Sequence, residues 1–160
     1  MNNQNIAIAY FDSKIKGTIY FYEMKNKILI DINLTGFTKN STHGIHIHEA
    51  GDLTDNCTST CSHFNPYNKN HGGLNSKERH VGDLGNIISD KNGNVNIKMY
   101  DKLIKLNGNK RNILGRSVVI HENEDDLGLG GFDDSLITGH AGSRIACAII
   151  GYSKKMFQKK

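Results

Sequence analysis

Short runs in which apolar and polar residues alternate, or in which β-branched residues cluster, recur along the whole chain. They are IAIAYF from Ile6, IKGTIYFY from Ile15, KILIDINLTGF from Lys27, HGIHIHE from His43, LGNIIS from Leu84, NVNIKMY from Asn94, RSVVIHE from Arg116 and RIACAIIGY from Arg144. A period of two places every second side chain on one face, so each run reads as a strand with an inner and an outer side. KNGN around Gly93 and NGNK around Gly108 supply turn chemistry between runs, and no stretch keeps a helical period over three turns. The pattern predicts an all-β fold, an eight-stranded antiparallel sandwich or barrel.

Two segments interrupt this rhythm. Residues 49–83 hold little apolar content, and residues 123–143 are rich in Gly and Asp. Loops of that length in a compact domain are commonly functional. With no internal repeat and no linker, residues 1–160 are expected to form one domain, a size at which folding buries roughly 70% of the unfolded chain's surface.

Charge narrows the function classes. The formal net charge is +4, and the last eight residues, SKKMFQKK, contribute four lysines and no acid. The body is therefore neutral, which argues against nucleic acid as a partner, and residues 153–160 are expected to be a flexible basic tail. No apolar run has the length of a membrane span, and MNNQNIAIAYFDSK lacks the basic and apolar regions of a secretory leader, so no membrane partner and a cytoplasmic location are expected. On that reading the triplets NLT, NST and NCT are chance matches to a glycosylation pattern, and Cys57, Cys61 and Cys147 default to free thiols.

The candidate chemistry is concentrated in GIHIHEAGD. His46 and His48 are two apart in a strand and so project to the same side. Alone, such a pair also suits a solvent-facing edge. The company changes the reading, because His63, His71, His80 and Asp83 all fall in the first long loop, which lacks apolar anchors and needs some other device to hold it. Three imidazoles and a carboxylate suit a closed tetrahedral zinc site, while His46, His48, His121 and one shared histidine offer the all-nitrogen set that suits copper.

Five motifs in order, GIHIHEAGD, CSHFNPYNKNHGG, KERHVGDLGN, GRSVVIHENEDDLG and TGHAGSRIACAIIG, resemble those of the intracellular eukaryotic-type Cu/Zn superoxide dismutases, over nearly the whole chain. That family is counted among the β-sandwich folds, and the resemblance implies a Greek-key, immunoglobulin-like arrangement with two long functional loops. It also implies copper on His46, His48, His63 and His121, zinc on His63, His71, His80 and Asp83, and His63 bridging the two. By the same resemblance Asp125 links a copper histidine to a zinc histidine, Arg144 orients the anionic substrate superoxide, and Cys57 pairs with Cys147 in a disulfide. His43 and His140 match no ligand position. The reaction implied is dismutation of superoxide to O₂ and H₂O₂, by a homodimer that a copper chaperone loads.

The chain also departs from the family pattern. Leu129 and Ile137 stand where lysines are common, although Asp133, Asp134 and Thr138 remain, so weaker long-range attraction of the anion is expected. Ala50 replaces a bulky apolar residue that contributes to the dimer contact, the tail extends beyond Gly151, and Cys61 replaces a glycine. A carrier or decoy with little catalysis is the alternative reading, and a zinc-only adhesion-type sandwich leaves His46, His48 and His121 without a role. Retention of all six histidines, Asp83 and Arg144 favours the enzyme.

Overall fold

The computed structural model describes residues 5–158. Residues 1–4 and 159–160, and with them parts of the leader and tail expectations, lie outside the described residues.

Eight strands form one antiparallel sheet: β1 (Ile6–Asp12), β2 (Lys16–Glu23), β3 (Ile28–Thr35), β4 (Thr42–His48), β6 (Asp83–Ile88), β7 (Asn94–Asp101), β8 (Ser117–His121) and β9 (Arg144–Tyr152). A ninth, short strand, β5 (Thr54–Cys57), lies within the first long loop and was not expected from the pattern. The spatial order is β6-β4-β8-β9-β1-β2-β3-β7, so the chain crosses from one half to the other after β3, after β6 and after β7, as a Greek key does. β9 joins the halves, pairing with β8 through its first residues and with β1 through Ile150, Gly151 and Tyr152. The sheet curls into a nearly closed barrel.

Alternation decides which side chains enter the core. In β3, Ile28, Ile30, Ile32 and Leu34 are buried, while the residues between them are half-buried or exposed. Each fully buried isoleucine or leucine contributes roughly 1.5–3 kcal/mol relative to exposure, so together they outweigh any single polar contact in the fold. β4 and β8 differ, because both of their faces are covered. Ile45, Ile47, Val118 and Ile120 join the core, and the opposite face, carrying His46, His48 and His121, is buried as well. The long loops provide that second cover.

The first loop returns to β4 through backbone pairing: Phe64 N–H donates to Ile47 O, Ile47 N–H to Gly82 O, and Gly82 N–H to Phe64 O. His48 and His63 form an isolated antiparallel bridge. The loop does have apolar anchors, contrary to the expectation from its composition. Phe64 and Val81 are buried in the core, and the Arg116 guanidinium stacks on Phe64 at 3.5 Å. Two further clamps act on its ends, the buried Arg79–Asp101 ion pair and the disulfide between Cys57 of β5 and Cys147 of β9, with Cα atoms 5.7 Å apart. The thiol default therefore fails for these two, and Cys61 is the free, exposed cysteine.

The second loop contains one short helix, α1 (Ser135–Thr138). Beyond β9, Ser153 is buried and caps a 3-10 turn at Lys154–Met156, and the Lys155 ammonium lies 3.6 Å from the Tyr20 ring centroid. Lys155 thus lies against β2.

Candidate metal centre

Six histidines and two carboxylates converge where the two loops cover β4 and β8. His46, His48, His63, His71, His80, Asp83, His121 and Asp125 are all buried. Ligand atoms of His46, His48, His63 and His121 lie within 4.8 Å of one another, and so do those of His46, His63, His71 and Asp83. His46 and His63 belong to both groups. The second group differs from the expected zinc set in holding His46 rather than His80. His80 is nevertheless adjacent, its Nδ1 3.0 Å from Asp83 Oδ1 and 3.4 Å from His63 Nδ1.

Hydrogen bonds to the outer ring atoms determine what the inner atoms offer. Asp125 accepts from His46 Nε2 at 2.6 Å through one oxygen and from His71 Nε2 at 2.8 Å through the other. His48 Nδ1 donates to Cys61 O at 2.8 Å, and His121 Nδ1 donates to Gly142 O at 3.1 Å. A neutral imidazole carries one N–H, so these partners leave lone pairs on Nδ1 of His46 and His71 and on Nε2 of His48 and His121. His46 Nδ1, His71 Nδ1 and His63 Nε2 are buried without a hydrogen-bond partner. His71 Nδ1 lies 3.1 Å from Asp83 Oδ1 but lacks hydrogen-bond alignment. Lone pairs turned toward each other and toward a carboxylate oxygen repel unless a cation lies between them. The donor set thus fits a metal at each group, nitrogen-only at one and nitrogen with carboxylate at the other.

The electrostatics agree. Burial, with neighbouring His63 adding to it, pushes His46 and His48 well below the usual histidine range. His121 is pushed down to about 4, by burial first, with the Gly142 hydrogen bond acting against it. These rings are neutral at pH 7 and need lose no proton to become ligands. At His71 burial acts downward, but the hydrogen bond to Asp125 and the negative charge of Asp83 beside the ring outweigh it and raise it to about 9. Burial acts upward on Asp83, and hydrogen bonds from His63 and His80, with the His71 ring 3.1 Å away, outweigh it and hold the carboxylate well below its usual range. Asp83 is thus a fixed anion, and a proton on His71 takes the place that a cation would fill.

Positioning groups surround this core. Asn86 donates from Nδ2 to Asp125 O and accepts Asp125 N–H at Oδ1, both at 2.8 Å, so one amide of β6 fixes the residue that joins the two histidines. Gly139, at φ +70°, passes so close that an added Cβ would stand 2.1 Å from Asp125 Oδ1 and 2.5 Å from His71 Nε2. Neither residue is signalled by sequence pattern. His43 stays outside both groups, its Nδ1 2.8 Å from His121 O and its Nε2 2.8 Å from Ser41 Oγ.

A cavity of ≈ 250 Å³ opens onto the nitrogen-only group, lined by His48, His63 and His121 at its inner end and by Asp134, Thr138 and Arg144 around it. Arg144 Nη1 donates to Cys57 O at 2.7 Å and to Thr60 Oγ1 at 3.1 Å, which ties the guanidinium to the segment that the disulfide secures. A larger cleft of ≈ 710 Å³ lies along the disulfide and shares Arg144, but none of the histidines lines it.

A Greek-key barrel whose loops bury six histidines and a bridging carboxylate, with two overlapping groups of metal-ligating atoms, has the make-up of a metal-binding protein. The chain matches the copper/zinc superoxide dismutase family over residues 15–150. It is 56% identical over 151 residues to a Cu-Zn superoxide dismutase of Paramecium bursaria Chlorella virus 1, covering 94% of this chain and 80% of the relative. It is 47% identical over 151 residues to a Cu-Zn superoxide dismutase of Candida albicans, covering 93% and 97%. The crystal structure of the clock protein EA4 superposes with a TM-score of 0.90 at 42% identity, covering 96% of this chain and 98% of that one. The chain belongs to the copper/zinc superoxide dismutase family, an enzyme family whose cofactors are copper and zinc.

Proposed function

We propose that the chain, acting as a single domain, dismutates superoxide, converting two superoxide anions and two protons to O₂ and H₂O₂. The observation that carries this is the inward set of lone pairs on His46, His48 and His121, grouped with His63 beside a cavity that also holds Arg144. His46, His48, His63 and His121 would hold copper, and His63, His71, His80 and Asp83 would hold zinc, with Asp125 positioning His46 and His71. When bound, copper supplies a one-electron redox couple and zinc a closed-shell charge.

The chain's own groups do the rest. The Arg144 guanidinium, held by Cys57 O and Thr60 Oγ1, presents a fixed positive charge to a small anion in the cavity. His63 Nε2, buried and unpartnered, is the atom that takes up a proton and delivers it to reduced oxygen, while Asp83 at 3.0 Å from Nδ1 orients the ring.

The finer reading is an intracellular, eukaryotic-type enzyme working in the cytoplasm as a homodimer and served by a copper chaperone. It is supported by the resemblance of the five ordered motifs, and sedimentation at micromolar concentration tests the dimer. Metal analysis alongside superoxide decay tests the function. One copper and one zinc per chain with rapid decay is the expected result, and bound copper with no decay would favour a carrier.

A further inference from the structure

The charge of the chain is unevenly placed. Ile28 pairs with Asp101 and Leu29 with Tyr100, so the turn before β3 and the loop after β7 leave the barrel at the same end. That turn carries Lys25 and Lys27, and the loop, residues 102–113, carries Lys102, Lys105, Lys110 and Arg111. Asn107 of the loop donates to Glu23, which fastens the two together. The segment after β9 arrives there as well: Ser153 N–H donates to Ile6 O, Ile6 pairs with Tyr22, and Lys155 Nζ donates to Tyr22 OH at 3.1 Å. It adds Lys154 and Lys155, and Lys159 and Lys160 follow in the sequence. Neither residues 102–113 nor residues 153–160 contain an acid. Of the two acids beside them, Asp101 is buried against Arg79, and Glu23 accepts hydrogen bonds from Asn5 and Asn107.

Like charges gathered at one pole repel one another, and an anionic partner relieves that repulsion. Two large apolar side chains stand among them, Met24 at 42% exposure and Phe157 at 69%. The tyrosine faces at this pole are already occupied, since Lys155 Nζ lies 3.6 Å from the Tyr20 ring centroid and Lys27 Nζ 3.7 Å from that of Tyr100. A single-stranded nucleic acid needs open aromatic faces on which its bases stack, whereas an anionic bilayer needs lysines at the headgroups and apolar side chains that enter beneath them. We propose that this pole is a docking surface for an anionic lipid bilayer: the lysines of the turn, the loop and the C-terminal segment meet the headgroups, and Met24 and Phe157 enter the acyl boundary. Contact of this kind is peripheral and needs no membrane-spanning segment. The surface shares no residue with the cavity at the metal centre, so the proposal stands independently of the reaction.

The test sediments full-length, metal-loaded protein with phosphatidylcholine vesicles carrying about 30% phosphatidylserine, and with phosphatidylcholine vesicles alone. The expected result is partition into the anionic vesicles at low ionic strength, none into the neutral ones, and release as salt rises toward about 1 M, where the screening length is about 3 Å. Lys25→Gln and Lys110→Gln each lower the partition coefficient about fivefold, the effect of one lysine near an anionic surface. Phe157→Ser lowers it about tenfold, the low end for burial of one such side chain. Lys91→Gln removes the same charge at the far end of the barrel, just ahead of Asn94 where β7 begins, and leaves the partition unchanged. Equal losses from Lys25→Gln and Lys91→Gln would show attraction by net charge alone and overturn the inference, as would Phe157→Ser with undiminished binding. Absence of vesicle binding would also overturn it, and capture of a single-stranded oligonucleotide or a sulfated polysaccharide in its place would assign the pole to a soluble polyanion.

Discussion

His48 Nε2 and His121 Nε2 face each other at 3.4 Å, each on a ring whose other nitrogen donates to a backbone carbonyl. Two lone pairs at that separation are held together by the β4–β8 register, which pairs Ile45 with Ile120 and His48 with Ser117, and by the loops that close over them. The fold therefore bears a local repulsion that a proton or a metal ion between the rings relieves. Metal-binding free energy is in that sense stored in the strand pairing.

Asp125 is the most economical place to disturb this arrangement. Its two oxygens set the tautomers of His46 and His71 together, so Asp125→Ala frees both rings to turn or to protonate at the inner nitrogen. Loss of an outer partner of this kind weakens metal affinity about 10- to 100-fold. Competition with a chromophoric chelator should show that loss for zinc, with the fold retained by circular dichroism. Unchanged affinity would mean that Asp125 is not what orients the ligands.

Stability of the metal-free protein should depend on pH in two opposed ways. His46, His48 and His121 have folded-state values below the ordinary 6.5, so the unfolded chain binds more protons as pH falls below about 6.5, and stability drops with acid. His71 is raised to about 9, and its contribution is complete below 6.5 and lost as pH rises through 9. Thermal unfolding of metal-free protein should therefore pass through a maximum near neutrality, with the steeper fall on the acid side, where these three and His63, also pushed down by burial, act together. The same assignment predicts that zinc binding at pH 7 releases a proton from His71, readable from the buffer dependence of the binding heat. A flat stability profile between about pH 4 and pH 9 would contradict the assignment.

Much of this was legible in the sequence, and the exceptions have physical causes. The strand from Arg144 to Tyr152 follows directly from its β-branched run, and His46 and His48 share a side because strands have a period of two. β5 left no such trace, since TDNC carries no apolar alternation and is held instead by the disulfide. Phe64 and Val81 anchor a polar loop as two isolated apolar residues, too few to make a period. Asn86 reads as an ordinary strand residue, because its role depends on register, lying on β6 opposite Gly44 where the second loop crosses. Pattern shows which way a side chain points along its own element, and only tertiary contact shows what it meets.

The disulfide couples stability to the substrate site. It closes a separation of 90 residues, and a cross-link of that span constrains the unfolded chain by about 4.6 kcal/mol in the chain-entropy picture. Cys147→Ser should lower the urea-unfolding free energy by about that order. It should also lower kcat/KM at saturating metal, since Cys57 O and Thr60 Oγ1 no longer hold Arg144 in place. A loss of stability with no loss of rate would show that the guanidinium is positioned without the cross-link.

Ile137 and Leu129 test how much of the rate is long-range attraction. Both are large and exposed, at 63% and 85%, and Ile137 lines the cavity beside Asp134. Apolar side chains there add no field, so Arg144 draws the anion against the opposing carboxylate. Placing a cation at that position with Ile137→Lys should raise kcat/KM about two- to fivefold at low ionic strength. The gain should fade as salt approaches about 0.15 M, where the screening length shrinks to about 8 Å. The wild type should show the shallower salt dependence of the two, because it has less attraction to lose. Equal slopes in the two proteins would mean that the field at the mouth is set elsewhere, and that the lysine-free loop does not limit capture of the anion.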